Sequence, residues 1–193
     1  MTELGDVVYV VRRDSPIIKT FSVDTLSPLG KDIHVEGMTY PSDIVACDRH
    51  LYVADMGRGI WRVSADDHSY VKWLWRWDIL NVYTLSVTSR GLLVTSLRGP
   101  PTLREYSTTD RQLLRDVKLP RYVTKLYHGI ETSRGTFIIS HVGTSQLPRT
   151  AVCQLFICHH ISDRVLSRRL LGEYPQCVHC IQSAQKCTEA TLS

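Results

Sequence analysis

The residues best suited to chemistry sit near the end of the chain. Cys177 and Cys180 form a CVHC pair with His179 between them and Cys187 beyond, and Cys158, His159 and His160 precede them as CHH. Two thiolates at CxxC spacing chelate one zinc ion, and Cys158 with His159 or His160 completes a tetrahedral set. The zinc set this spacing names is Cys158, His160, Cys177 and Cys180, the two halves separated as in ribbon-like sites. The first half is not a second CxxC, however, and it falls on a segment that reads as strand. Ordinary strand or turn histidines beside an unstructured tail, or a regulatory disulfide, fit the same residues. No other cofactor is implied.

Basic and aromatic residues offer a second chemistry. Arg58, Arg90, Arg98 and Arg134 each fall in a turn of a repeated unit. If those turns share one rim, the four form a positive arc for a phosphate backbone or an acidic peptide; a charge at a turn is more often simply solvated. Trp73, Trp75 and Trp77 alternate with Leu74 and Arg76, which places all three on one face of a strand. That face either packs against the next unit or offers an aromatic platform to a partner or to stacked bases. Lys72 and Arg76 on the other face fit the charged protection of a sheet edge.

Catalytic patterns are absent from the sequence. Eight histidines and nineteen acidic residues include no GxSxG, HExxH or phosphate-binding glycine loop. The strands expected innermost carry only Asp43, Asp48, Asp55 and Glu131, whereas a metal centre needs acids converging from several units. A hydrolase or lyase stays a minor alternative.

The elements that position these residues follow from a repeat. VVYVV begins at Val7, LYVAD at Leu51, LLVTS at Leu92 and TFIIS at Thr136, in steps of 44, 41 and 44. A later register aligns IIKTFSVD, IWRVSADD and LREYSTTD; an earlier one aligns DIVACDRH, TLSVTSRG and GIETSRG, with TSRG recurring unchanged at 88–91 and 132–135. A period of about 40–45 residues holding several short strands is that of a propeller blade. The segments are rich in Val, Ile, Leu, Tyr and Phe and bounded by Gly, Asp, Ser and Pro. Gly57, Gly59, Gly91 and Gly135 are expected to supply positive φ at tight turns. No sustained 3.6-residue period supports a helical solenoid. The fourth strands are VKWLWRW (71–77) and RQLLRDVKL (111–119).

The stretch PSDIVACDRHLYVADMGRGIWRVS resembles an NHL repeat: a proline, a first strand, the LYVAD strand ending in Asp55, a glycine-containing turn and the IWRVS strand. The later units carry Ser96 and Ser140 where this unit has Asp55, and the fourth has an insertion at 141–150. The resemblance implies a β-propeller that serves as a recognition platform for protein or for RNA.

The fold class expected is therefore all-β, a β-propeller of about four four-stranded blades, either a small closed ring or part of a larger one. The propeller occupies residues 1–172, in units 5–42, 43–83, 84–128 and 129–172, and begins in the second strand of its first unit. An irregular, disordered tail of 173–193 follows. The expected function is non-catalytic protein recognition, with RNA binding through the arginine rim as the alternative and self-association to complete the ring. A net charge of +4 permits RNA without arguing for it. No apolar run approaches the roughly 18 residues of a membrane span, and the N-terminus carries acids where a signal peptide needs bases. The cytoplasm is the expected location, and five of the six cysteines lie beyond residue 150, so disulfides do not hold the body together.

Overall fold

A computed structural model describes residues 1–75, 79, 81–96, 101–119, 121, 123–143, 153–161 and 164–170, with 124, 142, 143 and the last two segments given by backbone alone. Its elements are strands, grouped in four antiparallel four-stranded meanders. The first sheet is β1 (Thr2–Leu4), β2 (Val7–Val11), β3 (Ile17–Ser22) and β4 (Ile33–His34). The second is β5 (Pro41–Cys47), β6 (His50–Asp55), β7 (Gly59–Ser64) and β8 (Tyr70–Trp75). The third is β9 (Val82–Val87), β10 (Leu92–Ser96), β11 (Leu103–Tyr106) and β12 (Leu113–Val117). The fourth is β13 (Val123–Glu131), β14 (Phe137–Gly143), β15 (Cys153–Ile161) and β16 (Arg164–Leu170).

The three aligned registers of the sequence are thus the first, second and third strands of each sheet. The first unit differs from expectation. Its first strand is present as β1, paired from Thr2↔Tyr9 to Leu4↔Val7, and was illegible because only three residues form it. The glycines also divide. Gly59 and Gly135 do adopt φ of +109° and +71°, whereas Gly57 and Gly91 do not. Gly91 is needed for space: a Cβ there would stand 2.0 Å from the Tyr106 carbonyl oxygen. The tight turn between β5 and β6 uses no glycine, since Asp48 and Arg49 both take positive φ and join Cys47 to its partner His50.

The sheets pack face to face in series, and this explains the continuous apolar runs. Along β6, Leu51 and Val53 enter a core shared with Tyr9 and Ile18 of the first sheet. Tyr52 and Ala54 enter a second core shared with Leu92 and Val94 of the third. Leu93, on the opposite face of β10, joins Leu126, Phe137 and Ile139 in a third core. A strand buried on both faces has no polar side to show. On the first sheet, the face turned away from the second carries Val8, Val10, Ile17 and Phe21, which are half-buried and belong to none of the three cores.

The innermost strands meet through side chains. Ser42 Oγ donates to the Tyr83 carbonyl at 2.7 Å, and Asp43 Oδ2 accepts from the Leu85 amide at 2.9 Å. Thr84 Oγ1 donates to the Tyr127 carbonyl at 2.9 Å, and Ser86 Oγ to the Gly129 carbonyl at 2.5 Å. Thr2 Oγ1 accepts from the Ala46 amide at 3.1 Å. These pairs are 41 to 44 residues apart in sequence, the step of the repeat itself. An innermost strand has one edge without a strand partner, so its backbone groups need donors and acceptors from elsewhere.

A second device holds the connection from the first sheet to the second. Asp55 is fully buried and its carboxyl oxygens accept from Thr39 N, Thr39 Oγ1, Tyr40 N, Gly57 N and Trp61 Nε1. Ser96 ends β10 as Asp55 ends β6, and among the described residues its hydroxyl meets Thr102, whereas Ser140 falls in the middle of β14. The inner bonds can be tested one at a time. Ser86→Ala strands the buried Gly129 carbonyl and is expected to destabilise the fold by about 1–3 kcal/mol in urea unfolding, while the exposed Ser69→Ala stays within about 0.5 kcal/mol.

Candidate binding surface

The turns of an antiparallel meander alternate between the two ends of the sheet, which decides where the arginines lie. Arg58 is in the β6–β7 turn, at the end where Pro41, Asp55, Gly59 and Trp75 stand in register. Arg90 is in the β9–β10 turn and Arg134 in the β13–β14 turn, at the opposite end. The single arc expected from sequence is therefore not formed by these three; Arg98 lies outside the described residues. All three are exposed, but Arg90 is engaged, with Nη2 2.8 Å from Glu105 Oε2.

Glu105 centres a buried ionic network that sequence reading missed. It is on β11 with no accessible surface, and Arg115 from β12 meets it through Nε at 2.5 Å and Nη2 at 3.2 Å. Thr88 Oγ1 donates to its Oε1 at 2.6 Å. Arg115 Nη2 also reaches Glu131 Oε1 at 2.8 Å across the seam to β13, and its guanidinium lies 4.6 Å from the Phe137 ring centroid. Glu131 Oε2 accepts from the Ser89 amide at 2.7 Å. Burial acts to raise the Glu105 carboxyl, but hydrogen bonds from Arg115, Thr88 and Arg90 outweigh it and hold the group below the usual carboxylate range. Glu131 is lowered in the same way, by Ser89 and Arg115 against burial. The bond to Glu105 raises Arg115 in turn. Two cations and two anions thus latch the third sheet to the fourth.

Trp73 and Trp75 differ in burial. Ile60 pairs with Leu74 but Trp61 pairs with Lys72, so Trp73 is the extra residue of a β-bulge. The bulge puts both Trp73 and Leu74 into the core and leaves Trp75 53% exposed. Trp73 packs edge-on against Tyr52 and Tyr106, with ring centroids 5.0 and 6.4 Å away. It is core, not platform; Trp77 lies outside the described residues. Lys72, expected only to guard an edge, stands 4.2 Å from the Trp61 ring centroid and 5.2 Å from that of Trp75. Burial lowers its ammonium from the ordinary value, with Asp55 opposing.

The innermost polar side chains serve as struts. Burial raises the Asp43 carboxyl above its ordinary value and lowers the His128 imidazole, each partly offset by the other's charge. Ser86 Oγ is 3.3 Å from His128 Nε2 and donates to the Gly129 carbonyl. Burial pushes the half-buried Cys47 thiol up to about 11, which suits a packing group rather than a nucleophile. Among the described residues no three His, Cys, Asp or Glu side chains converge on a metal-sized position. Of the zinc set, Cys158 and His160 fall in β15, and Cys177 and Cys180 lie outside the described residues, as does the tail from 173.

The end that carries Arg58 gathers further basic and aromatic groups. Arg12 and Arg13 lie in the β2–β3 turn, the counterpart of the Arg58 turn in the first sheet, and are exposed. The Arg13 guanidinium sits 5.1 Å from the centroid of Tyr40, the residue before β5.

No protein-family model matches the chain, and no curated protein matches it. Solved structures match its fold. A chain of the S. cerevisiae assembly of Dbp5 bound to Nup159, Gle1, IP6 and ADP is similar with a TM-score of 0.58 and 13% identity, over 86% of this chain and 45% of that one. The N-terminal domain of Nup159 is similar with a TM-score of 0.58 and 13% identity, over 86% and 46%. The β-propeller domain of Cps50 (Swd1) from Myceliophteria thermophila gives 0.54 and 10%, over 85% and 67%. The chain spans about half the length of the first two. The fold is that of β-propeller blades.

The Glu105 network makes stability depend on acid. Glu105 and Glu131 have lower values folded than unfolded, so their contribution is complete above the ordinary glutamate value of about 4.3–4.5 and is lost as pH falls through the depressed folded values. Glu105→Gln is expected to unfold more easily at pH 7 and to lose less further stability than the unchanged chain between pH 5 and pH 3, read by urea midpoints across that range.

Proposed function

We propose that the chain is a non-catalytic recognition module, a propeller platform of NHL type for a protein partner, working in the cytoplasm. The observation that carries this reading is the use made of the polar groups between sheets. Asp43, Thr84 and Ser86 brace neighbouring inner strands, Asp55 is filled by five donors, and Glu105 and Glu131 are ion-paired. With these groups engaged in holding the sheets together, the outer surface, the turns and the rims are the places we assign to a ligand. The solved structures of similar fold include a chain from an assembly of Dbp5 with Nup159 and Gle1. Such likeness supports a platform by analogy of fold alone.

Formaldehyde and ultraviolet crosslinking of the full chain in cells separate the two recognition readings. The expected adducts are formaldehyde-linked proteins that resist nuclease. Adducts formed mainly by ultraviolet light and removed by nuclease would move the assignment to RNA.

The first-sheet face of Val8, Val10, Ile17 and Phe21, on which the exposed Lys19 also stands opposite Val10, extends this reading to self-association. It continues the face-to-face packing of the three seams within the chain, and the occupant we assign is the outer face of the fourth sheet of a second copy. Two sets of four sheets make eight, inside the range of about four to eight blades in closed propellers. Light scattering is expected to give twice the 22.0 kDa chain mass, reduced to one by Val8→Lys with Val10→Lys. A monomer at all concentrations would overturn the assignment.

A further inference from the structure

We infer that the end of the first two sheets carrying the β2–β3 and β6–β7 turns binds an extended acidic segment of a partner protein, an assignment that rests on the protein-recognition reading. The groups there are continuous. Arg13 lies over Tyr40, Tyr40 N is bonded to Asp55, Asp55 stands opposite Gly59, and Gly59 stands opposite the exposed Trp75. Lys72 sits between the rings of Trp61 and Trp75, and Arg58 projects from the turn between Asp55 and Gly59. The tie between Arg13 and Tyr40 joins the first sheet's turn to the second sheet's.

Charge at this end is unsatisfied. Arg12, Arg13, Arg58 and Lys72 have no carboxylate partner among the described residues, whereas Lys19, Arg49, Arg90, Arg104 and Arg115 each pair with one. Among the described residues two exposed acids, Asp14 and Glu36, lie in the same turn and connection, and with the buried Asp55 four cations face three anions. The third acid of the region, Asp55, is buried and its oxygens are filled. The excess is positive, and part of it is held in place: a cation resting on a ring has fewer positions to lose when an anion binds than a free side chain has.

The same contacts choose between an acidic peptide and a single-stranded nucleic acid. Base binding uses open aromatic faces. Here the Tyr40 ring carries Arg13 on one face, and Trp61 is 7% exposed with Lys72 over it, so of these three rings Trp75 alone leaves much surface for a base, short of a row of stacking platforms. A carboxylate adds to those cations and displaces nothing. Trp75, half in solvent, suits an apolar side chain alternating with the acids of an extended segment.

The test is fluorescence anisotropy of the full chain with a labelled peptide alternating glutamate and leucine, against labelled oligouridine as competitor. Saturable binding that weakens with salt is expected. Arg13→Glu with Arg58→Glu and Lys72→Glu should weaken it about tenfold or more, and Arg134→Glu at the opposite end less than about twofold. Should Lys72→Glu disturb folding, as a changed circular dichroism spectrum would show, the exposed pair Arg13→Glu and Arg58→Glu carries the comparison. No peptide binding, equal losses for Arg134→Glu, or tighter binding of oligouridine would each overturn the inference. Nuclease-resistant protein adducts in cells that persist in the triple variant would remove this end alone and leave the recognition reading standing; their absence from the unchanged chain would remove both.

Discussion

The structure depends on what happens at the unpaired edge of each innermost strand. A four-stranded sheet has two edges, and the inner one faces its equivalents in neighbouring sheets where no strand can be added. Ser42, Asp43, Thr84 and Ser86 supply the missing donors and acceptors, one sheet reaching to the backbone of the next. The side chains on the strand faces are then released to be apolar, as on β6, where both faces enter cores. The inner bonds set the rotation between sheets and the cores fill the resulting wedges. Neither works alone: a core is non-directional, and a few hydrogen bonds contribute little net stability without burial around them.

The period of the repeat is the part most legible in the sequence, because bonds spaced at 41 to 44 residues need the same strand to return at that step. Turn chemistry was legible where composition forces it and illegible where it does not. Gly59 fits its positive φ, but Asp48 and Arg49 make a two-residue turn with no glycine to mark it. β1 was missed because its partner strands, not its own three residues, define it.

The candidate surface was legible only in part. The arginines of the turns were found, but Arg58 and Arg134 lie at opposite ends of their sheets, a distinction that requires knowing which strands flank each turn. One inserted residue at Trp73 put Leu74 into the core and turned Trp75 out, and a period of two cannot register a bulge. Glu105 and Arg115, ten residues apart on different strands, carry no local pattern at all. Their pairing is set by the hairpin between β11 and β12, and their value to the fold by the Glu131 that a third strand brings.

Five of the bonds between inner strands share a direction, while the Ser89–Glu131 bond beside them runs the other way. Thr2 meets Ala46, Ser42 meets Tyr83, Asp43 meets Leu85, Thr84 meets Tyr127 and Ser86 meets Gly129; in each the earlier sheet offers the side chain and the later sheet the backbone. During synthesis the N-terminal residues emerge first, so the hydroxyls and carboxyl of the earlier sheet are synthesised before the backbone that they meet. Each new sheet is received by a template that already carries the partners for its exposed main chain. The chain is written in the order in which it can be assembled, and the edge most prone to mispairing is covered as it emerges.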